Sequence, residues 1–248
     1  MDWVRNFYSC QNEWFGVYLS DINQSHLDRV ALVDSSFNLP RSRLLELGAG
    51  GGQTAVALAK SGYQVSMIEL LAKSVRHAHK LKERHQQSVQ IHHGDFYTIK
   101  LDKQFDIICY FDSFGIGEDK DQVHLLQKIE TWLAPKGKAL IEIGAPKFWS
   151  RVAHGKITDL GACIRQYEYD FEQQRLIDYW WLKSAPQQKI FQSLRCYCPE
   201  DFNRLLEGTN LKVEHYISGG KIDFEQFLFI KKVPLEEAMT YYALLKKE

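Results

Sequence analysis

The sequence predicts an α/β fold in which parallel strands alternate with helices, and a βαβ unit at residues 44–69 is the main indication. Residues 44–47 form a short apolar run typical of a buried strand, and a cluster of glycines follows directly. Residues 54–59 are small or apolar, as in a helix that Gly62 ends, and a second strand-like run ends on Glu69. A glycine turn between the first strand and its helix, with an acid at the tip of the second strand, is typical of sites for nucleotide-like cofactors.

The spacing of the glycines distinguishes between two kinds of cofactor. The dinucleotide fingerprint Gly-x-Gly-x-x-Gly needs a third glycine for close packing of helix and strand, but Gln53 stands at that place. The glycines alternate instead, in the order Glu46-x-Gly48-x-Gly50-x-Gly52. This pattern resembles the first motif of class I S-adenosylmethionine-dependent methyltransferases, whose cofactor has no phosphate to place on a helix N-terminus.

The resemblance extends over residues 43–144 and implies S-adenosyl-L-methionine as the cofactor. It places Asp95, in a Gly-Asp pair after the third strand, beside the adenine, and the loop after the fourth strand beside the methyl donor. Glu69 suits S-adenosylmethionine and a dinucleotide equally, because its carboxylate can accept hydrogen bonds from two ribose hydroxyls. The cofactor-binding residues that follow are Glu46, Gly48, Ala49, Gly50, Gly52, Glu69, Leu70, Asp95, Phe96, Phe111, Asp112 and Ser113.

The same resemblance implies a single methyltransferase domain over residues 1–248. We expect a seven-stranded, mostly parallel, Rossmann-like sheet with helices on both faces. We expect its parts to be an N-terminal helical cap (1–40), the cofactor-binding half (41–144), an inserted antiparallel β lid (145–198), and C-terminal strands followed by a helix (199–248). In the last part, the closing strands are expected at 211–217 and 224–230 and the helix at 235–246.

The N-terminal cap is predicted to be helical because apolar residues recur at helical spacing over residues 3–14. This helix either packs on the sheet or covers the cofactor, with Tyr8 or Trp14 facing the site. A second helix is expected to begin with Ser25 as its cap and to end at residues 38–40.

The insertion contains three strand-like runs, at 161–170, 175–183 and 189–197, that are rich in Tyr and Trp. They predict an antiparallel sheet. This sheet serves as a lid over the substrate, packs on the domain, or forms the interface of a homodimer, and the sequence leaves these three interpretations open.

Methyl transfer to an oxygen or nitrogen of a small-molecule acceptor is the function that these features favour. The reaction needs a base only when the acceptor must lose a proton early, and the catalytic candidates are Asp112, His154, Tyr167 and Arg195. His154 fits a surface loop as well as a base, and Arg195 fits either an anionic acceptor group or a pairing with an acid. The alternatives are a non-catalytic S-adenosylmethionine-binding regulatory or scaffold protein and a nicotinamide-dependent oxidoreductase.

Composition narrows the range of partners. The 31 Lys and Arg residues balance the 31 Asp and Glu residues, so neither a nucleic-acid groove nor an anionic membrane surface is expected. The five cysteines are irregularly spaced, which argues for a reduced, cytoplasmic protein without a disulfide framework. No apolar run is long enough to span a membrane. No metal site is expected, since His77 and His79 lie on different faces of their helix.

Overall fold

A seven-stranded sheet forms the centre of the protein in the computed structural model, which describes residues 2–37, 39, 42–226 and 228–248. In chain order the strands are β1 (Arg43–Leu47), β2 (Gln64–Glu69), β3 (Val89–His93), β4 (Phe105–Tyr110), β5 (Leu133–Gly144), β6 (Lys156–Asp159), β7 (Cys163–Asp170), β8 (Arg175–Leu182), β9 (Ile190–Arg195), β10 (Leu211–Ser218), β11 (Lys221–Asp223), β12 (Leu228–Ile230) and β13 (Thr240–Lys247). The α-helices are α1 (Asp2–Trp14), α2 (Gln24–Phe37), α3 (Gln53–Lys60), α4 (Ala72–Arg84), α5 (Asp119–Trp132), α6 (Pro146–Val152) and α7 (Pro199–Leu205). Short 3-10 helices occupy Val17–Leu19 and Leu235–Glu237.

The central sheet has the strand order β10-β13-β5-β4-β1-β2-β3. Strand β1 pairs in parallel with β2 and β4, β2 with β3, and β4 with β5. Strand β13 is antiparallel to both of its neighbours, β5 and β10. The predicted seven-stranded, mostly parallel sheet is therefore confirmed.

Helices cover both faces of this sheet, as the apolar strands predicted. Successive side chains of a strand point to opposite faces. Leu44 packs in one core with residues of α2, α3 and α4, whereas Leu45 and Leu47 pack in the other with residues of α5 and α7. All three leucines are fully buried, which is the two-sided burial expected of a parallel sheet.

The insertion forms a second, four-stranded antiparallel sheet in the order β6-β7-β8-β9. The sequence analysis did not predict its first strand, β6. The side chains of this short strand are half-buried or exposed in alternation, so it lacks the apolar run that marks a buried strand. Helix α1 packs against this sheet: Phe7 is buried with Trp180 and Ile190. The N-terminal helix and the inserted sheet therefore share one hydrophobic core.

The C-terminal part differs from the prediction. The expected closing strand at 224–230 and the expected helix at 235–246 are wrong. Strands β11 and β12 form a separate two-stranded hairpin, and β13 occupies an interior position of the central sheet. Strand β13 pairs with β5 from Thr240 to Lys246 and buries Tyr241, Ala243 and Leu245. This long-range pairing overrides the local helical spacing.

The cap differs from the prediction in one detail. Helix α2 begins at Gln24, and Oδ1 of Asn23 accepts a hydrogen bond of 3.0 Å from the Ser25 N–H, so Asn23 caps this helix in place of Ser25. The expected end of the helix includes Asn38 and Pro40, which lie outside the described residues. Within the described ranges, every helix is too short or too polar to cross a lipid bilayer.

Candidate active site

A cavity of about 360 Å³ lies at the carboxyl ends of β1, β2 and β4. This edge of a parallel sheet is where α/β folds bind ligands. The predicted cofactor residues that line it are Glu46, Gly48, Ala49, Gly50, Glu69, Leu70, Asp95, Phe96, Phe111, Asp112 and Ser113. Gly52 is the exception: a β-carbon there would lie 2.7 Å from Cβ of Ala78, so this glycine allows α3 and α4 to pack closely.

The glycine turn brings the backbone of Gly50 to the cavity wall. Its φ is +55°, which favours glycine, and its N–H donates a hydrogen bond of 2.8 Å to Oε2 of Glu69. A β-carbon at Gly50 would lie 3.2 Å from the Tyr18 ring. The cap therefore closes directly over the turn.

Glu69 presents a buried carboxylate at the tip of β2. Its Oε2 accepts from Gly50 and its Oε1 accepts from the Leu71 N–H at 2.8 Å. Burial raises its pKa to about 7, and the bonds from Leu71 and Gly50 oppose that rise. The Leu70 N–H also donates to this carboxylate. A carboxylate has roughly four acceptor positions, so about one remains for a ligand.

Glu46 contributes a second buried acid, from β1. Its Oε2 has no hydrogen-bond partner among the described residues. Burial raises its pKa to about 8, against the opposing effect of the Arg29 guanidinium, which lies on α2 at the cavity wall. Because buried polar atoms in proteins are almost always hydrogen-bonded, this oxygen marks a place for a donor from a ligand.

Asn12 is a cavity residue that the sequence analysis missed. Its Nδ2 donates a hydrogen bond of 3.1 Å to Oγ of Ser74, while its buried Oδ1 has no partner in the described part of the chain. Asn12 lies four residues after Tyr8 and therefore on the same face of α1. Asn12 could have been recognised in the sequence as a polar residue on the helix face that carries Tyr8.

The loop after β4 holds two consecutive non-glycine residues in the left-handed region. Asp112 has φ +59° and Ser113 has φ +72°. The Asp112 N–H donates to Oε2 of Glu142 at 3.1 Å, and the Tyr110 hydroxyl donates to the Ser113 carbonyl at 2.9 Å. Such conformations cost free energy and cluster at functional sites.

The cavity includes one of the predicted catalytic residues, Asp112. His154 is exposed and stacks on Phe171 at a ring distance of 5.3 Å, which agrees with its surface interpretation. Arg195 donates to Oε1 of Gln174 at 2.9 Å and lies 3.6 Å from the Asp119 carboxylate. The guanidinium is therefore engaged within the fold, and its predicted contact with an acceptor finds no support.

Tyr167 is buried and does not line the cavity. Its ring packs 5.3 Å from that of Trp149 and lies 4.4 Å below the Arg165 guanidinium. Of the two cap residues proposed to face the site, Tyr8 lines the cavity, whereas Trp14 packs in the core between α1 and the inserted sheet.

A chain of hydrogen bonds connects the cap to the inserted sheet. The Tyr8 hydroxyl donates to Oε1 of Gln192 at 3.1 Å, and Nε2 of Gln192 donates to Oδ2 of Asp178 at 3.0 Å. Arg165 holds both oxygens of Asp178, at 2.9 and 2.7 Å. The cap and the sheet are therefore fixed to each other at the wall of the cavity.

Comparison with known families identifies the fold and its cofactor. A family model described as a methyltransferase domain matches residues 16–216, which is most of the chain. The chain belongs to the class I S-adenosylmethionine-dependent methyltransferases. This assignment decides between the two cofactors that the glycine turn suggested, in favour of S-adenosylmethionine and against a nicotinamide dinucleotide.

Individual relatives of this methyltransferase are distant. A cypemycin N-terminal methyltransferase from a Streptomyces species is 27% identical over 150 residues, which span 60% of this chain and 57% of that protein. The CcbJ methyltransferase from Streptomyces caelestis has a similar structure, with a TM-score of 0.74 at 16% identity over 91% of this chain and 90% of that one. An S-adenosylmethionine-dependent methyltransferase from Clostridium acetobutylicum gives a TM-score of 0.72 at 16% identity over 98% of both chains. At such identities the two structures show a common fold.

The cavity of the methyltransferase fits its cofactor chemically. Glu69 offers a remaining acceptor position for a hydroxyl group, and Glu46 offers an unpartnered oxygen for an ammonium group. The described residues contain no cluster of three or more His, Cys, Asp and Glu side chains that could hold a metal ion.

Proposed function

We propose that this methyltransferase transfers a methyl group to an oxygen or nitrogen of a small-molecule acceptor. The main support for this proposal is that one continuous cavity includes both the cofactor residues and Asp112. It runs from Glu69 and the glycine turn to Asp112, and Tyr8 and Tyr18 of the cap lie over it. Its volume is at the small end of the range for small-molecule sites. An acceptor bound near Asp112 would thus share one continuous cavity with the cofactor.

In the proposed complex, the buried polar groups of the cavity each have a partner on S-adenosylmethionine. The remaining acceptor position of Glu69 would take a ribose hydroxyl, and the unpartnered Oδ1 of Asn12, which lines the same cavity, would be a further acceptor. The unpartnered oxygen of Glu46 and the guanidinium of Arg29 would hold the ammonium and carboxylate of the methionine part. Asp95 would accept from the adenine amino group. When bound, S-adenosylmethionine supplies an activated methyl group on a sulfonium.

The protein contributes alignment and exclusion of water. Holding the two reactants in line lowers the entropic part of the activation barrier. The packing of Tyr18 against Gly50 would shield the methyl donor from solvent. Burial raises the pKa of Tyr18, so its hydroxyl stays protonated and acts as a donor and not as a base.

The names of several relatives favour nitrogen as the accepting atom. The curated relative is a cypemycin N-terminal methyltransferase, and similar structures include a sugar N-methyltransferase from a Streptoalloteichus species and a 1,6-didemethyltoxoflavin-N1-methyltransferase from Burkholderia thailandensis. The last two are 13% and 12% identical to this chain, so their acceptors are no guide to the identity of the acceptor here.

The two added elements, the cap (1–40) and the inserted sheet (145–198), would together cover the acceptor side of one domain that spans residues 1–248. Their shared core and the bonds between Tyr8, Gln192 and Asp178 support this arrangement.

The experiment has two parts. Calorimetry with S-adenosylhomocysteine measures cofactor binding, and mass spectrometry follows methyl transfer from S-adenosylmethionine to a panel of small amines, alcohols and phenols. We expect binding in the first part and at least one methylated compound in the second. Tight binding without methylation of any compound would contradict the proposal and would favour the non-catalytic alternative.

A further inference from the structure

Asp112 places a carboxylate without a cationic partner in the cavity. Its Oδ1 accepts a hydrogen bond of 2.9 Å from the Ser113 N–H of its own loop. Asp112 is exposed, lines the cavity, and forms no ion pair with any Lys, Arg or His in the described part of the chain. Its negative charge is therefore available to a ligand.

Five tyrosines lie near enough to this carboxylate to interact with its charge. Burial raises the pKa of each of them, and the charge of Asp112 raises it further. They are Tyr8, Tyr18, Tyr110, Tyr167 and Tyr242. The rings of Tyr8 and Tyr18 meet edge to face at 6.1 Å, and both line the cavity. These hydroxyls stay neutral near pH 7, and aromatic faces with an acid among them form the kind of surface that attracts an ammonium group.

The neighbouring guanidinium groups both face acids of the fold. Arg165 holds both oxygens of Asp178. Arg29 lies 4.0 Å from the Glu142 carboxylate and 5.0 Å from the centre of the Phe111 ring. Arg29 interacts electrostatically with both Glu142 and Asp112, and a single guanidinium can balance only one of these two carboxylates. The remaining negative charge would repel an anionic acceptor.

We propose that the acceptor is a primary or secondary amine, whose nitrogen binds between Asp112 and the rings of Tyr8 and Tyr18. This inference rests on the proposed function and specifies its substrate class.

The direction in which charge moves during the reaction gives Asp112 its role. The bound ammonium first loses one proton to water, which frees the nitrogen lone pair. The lone pair forms a bond to the methyl carbon while the carbon–sulfur bond breaks and its electrons stay on sulfur. The positive charge thus moves from sulfur to nitrogen, where the Asp112 carboxylate stabilises it as it develops. A phenolate would lose its charge in the same step, so Asp112 would give it no such assistance.

The test uses three probes of similar shape and different charge. Protein saturated with S-adenosylhomocysteine is titrated by calorimetry with benzylammonium, benzyl alcohol and benzoate. We expect benzylammonium to bind at least tenfold more tightly than the other two. The Asp112→Asn variant should weaken its binding by roughly tenfold, the effect of losing a hydrogen bond to a charged group. Asparagine keeps the shape and tolerates the left-handed backbone of this position.

Asp102→Asn is the matched control. It makes the same charge change at an exposed residue that precedes β4, at the opposite end of that strand from Asp112. We expect this variant to bind both benzylammonium and S-adenosylhomocysteine as the wild type does. In Asp112→Asn the affinity for benzylammonium should fall by a larger factor than the affinity for S-adenosylhomocysteine.

Several outcomes would overturn the inference. These are equal or tighter binding of benzoate or benzyl alcohol, no binding of benzylammonium, or an unchanged affinity in Asp112→Asn. An equal loss of S-adenosylhomocysteine affinity in Asp112→Asn would place Asp112 with the cofactor and also contradict it. If the wild type binds no S-adenosylhomocysteine, the proposed function is wrong and the inference is wrong with it. Normal cofactor binding with a preference for anions would refute the inference alone.

Discussion

Glu69 is the residue whose substitution tests the cofactor site most sharply, and Glu69→Gln is the change we choose. The carboxylate accepts from Gly50 through one oxygen and from Leu71 through the other, each at 2.8 Å. A glutamine has one acceptor oxygen and one amide NH2 group, and this NH2 donor would face one of the two backbone N–H donors. It therefore loses one of these two bonds as well as the charge offered to the ribose.

The magnitude follows from the bonds that change. A hydrogen bond to a charged group contributes about 1.5–3 kcal/mol, so the loss of the ribose contact alone predicts an affinity about ten- to a hundredfold lower for S-adenosylhomocysteine. The pKa of Glu69, which burial raises to about 7, adds a pH signature. The wild-type carboxyl is ionised at pH 8 and protonated at pH 6, so the difference between the two proteins should shrink at the lower pH.

The assay is calorimetry with S-adenosylhomocysteine at pH 8 and pH 6, with circular dichroism as a check on folding. Glu207→Gln serves as the control, because Glu207 is exposed on the loop after α7 and should leave the affinity unchanged. A folded Glu69→Gln protein with wild-type affinity at pH 8 would refute the placement of the ribose.

Three further predictions concern the cap, the core and the inserted sheet. In Gly51→Ala the new β-carbon would overlap the carbonyl oxygen of Tyr18, so S-adenosylhomocysteine should bind at least about tenfold more weakly and protease should cleave the cap faster; wild-type values in both assays would argue against the closed cap. Burial raises the pKa of Glu46 to about 8, above its value near 4.3 in an unfolded chain. Ionisation of Glu46 therefore destabilises the fold as the pH rises between these two pKa values. Glu46→Gln should increase the Tm at pH 8 by a few degrees but not at pH 4. Equal Tm shifts at both pH values would refute this assignment of the buried charge. Asp178→Asn leaves Arg165 without its charge partner and should lower the free energy of unfolding by roughly 3 kcal/mol in urea titrations, whereas an unchanged midpoint would show that the pair contributes nothing.

The sequence predicts the cofactor half well because its signals are local. The apolar run of β1, the glycines that follow it and the acid that ends β2 lie within 27 consecutive positions, 43–69. Each element is specified by its own residues, so strand, turn and helix can be assigned without knowledge of the rest of the fold.

The C-terminal strand is not predictable in this way. Residues 240–247 carry apolar side chains that also suit a helix, and their partners in β5 lie about a hundred residues earlier in the chain. Only the gap between β5 and β10 makes this segment a strand. Local propensity is a weak guide when long-range pairing decides the conformation.

In the candidate site, too, the contacts that depend on distant parts of the chain are the ones that the sequence does not predict. Arg195 is a charged residue in a strand rich in polar groups, and the sequence alone could not tell an acceptor contact from the pairing with Asp119 that the structure has. Asn12 appears unremarkable in an amphipathic helix, and its unpartnered oxygen becomes visible only when α1 is placed over the glycine turn.

The central claim is that the cavity beside Glu69 and Gly50 binds S-adenosylmethionine and not a dinucleotide. Its most direct test is a pair of calorimetric titrations of the wild-type protein, one with S-adenosylhomocysteine and one with NAD, under the same conditions. We predict a saturable heat of binding with S-adenosylhomocysteine and none with NAD. Binding of NAD together with a silent titration of S-adenosylhomocysteine would contradict the account.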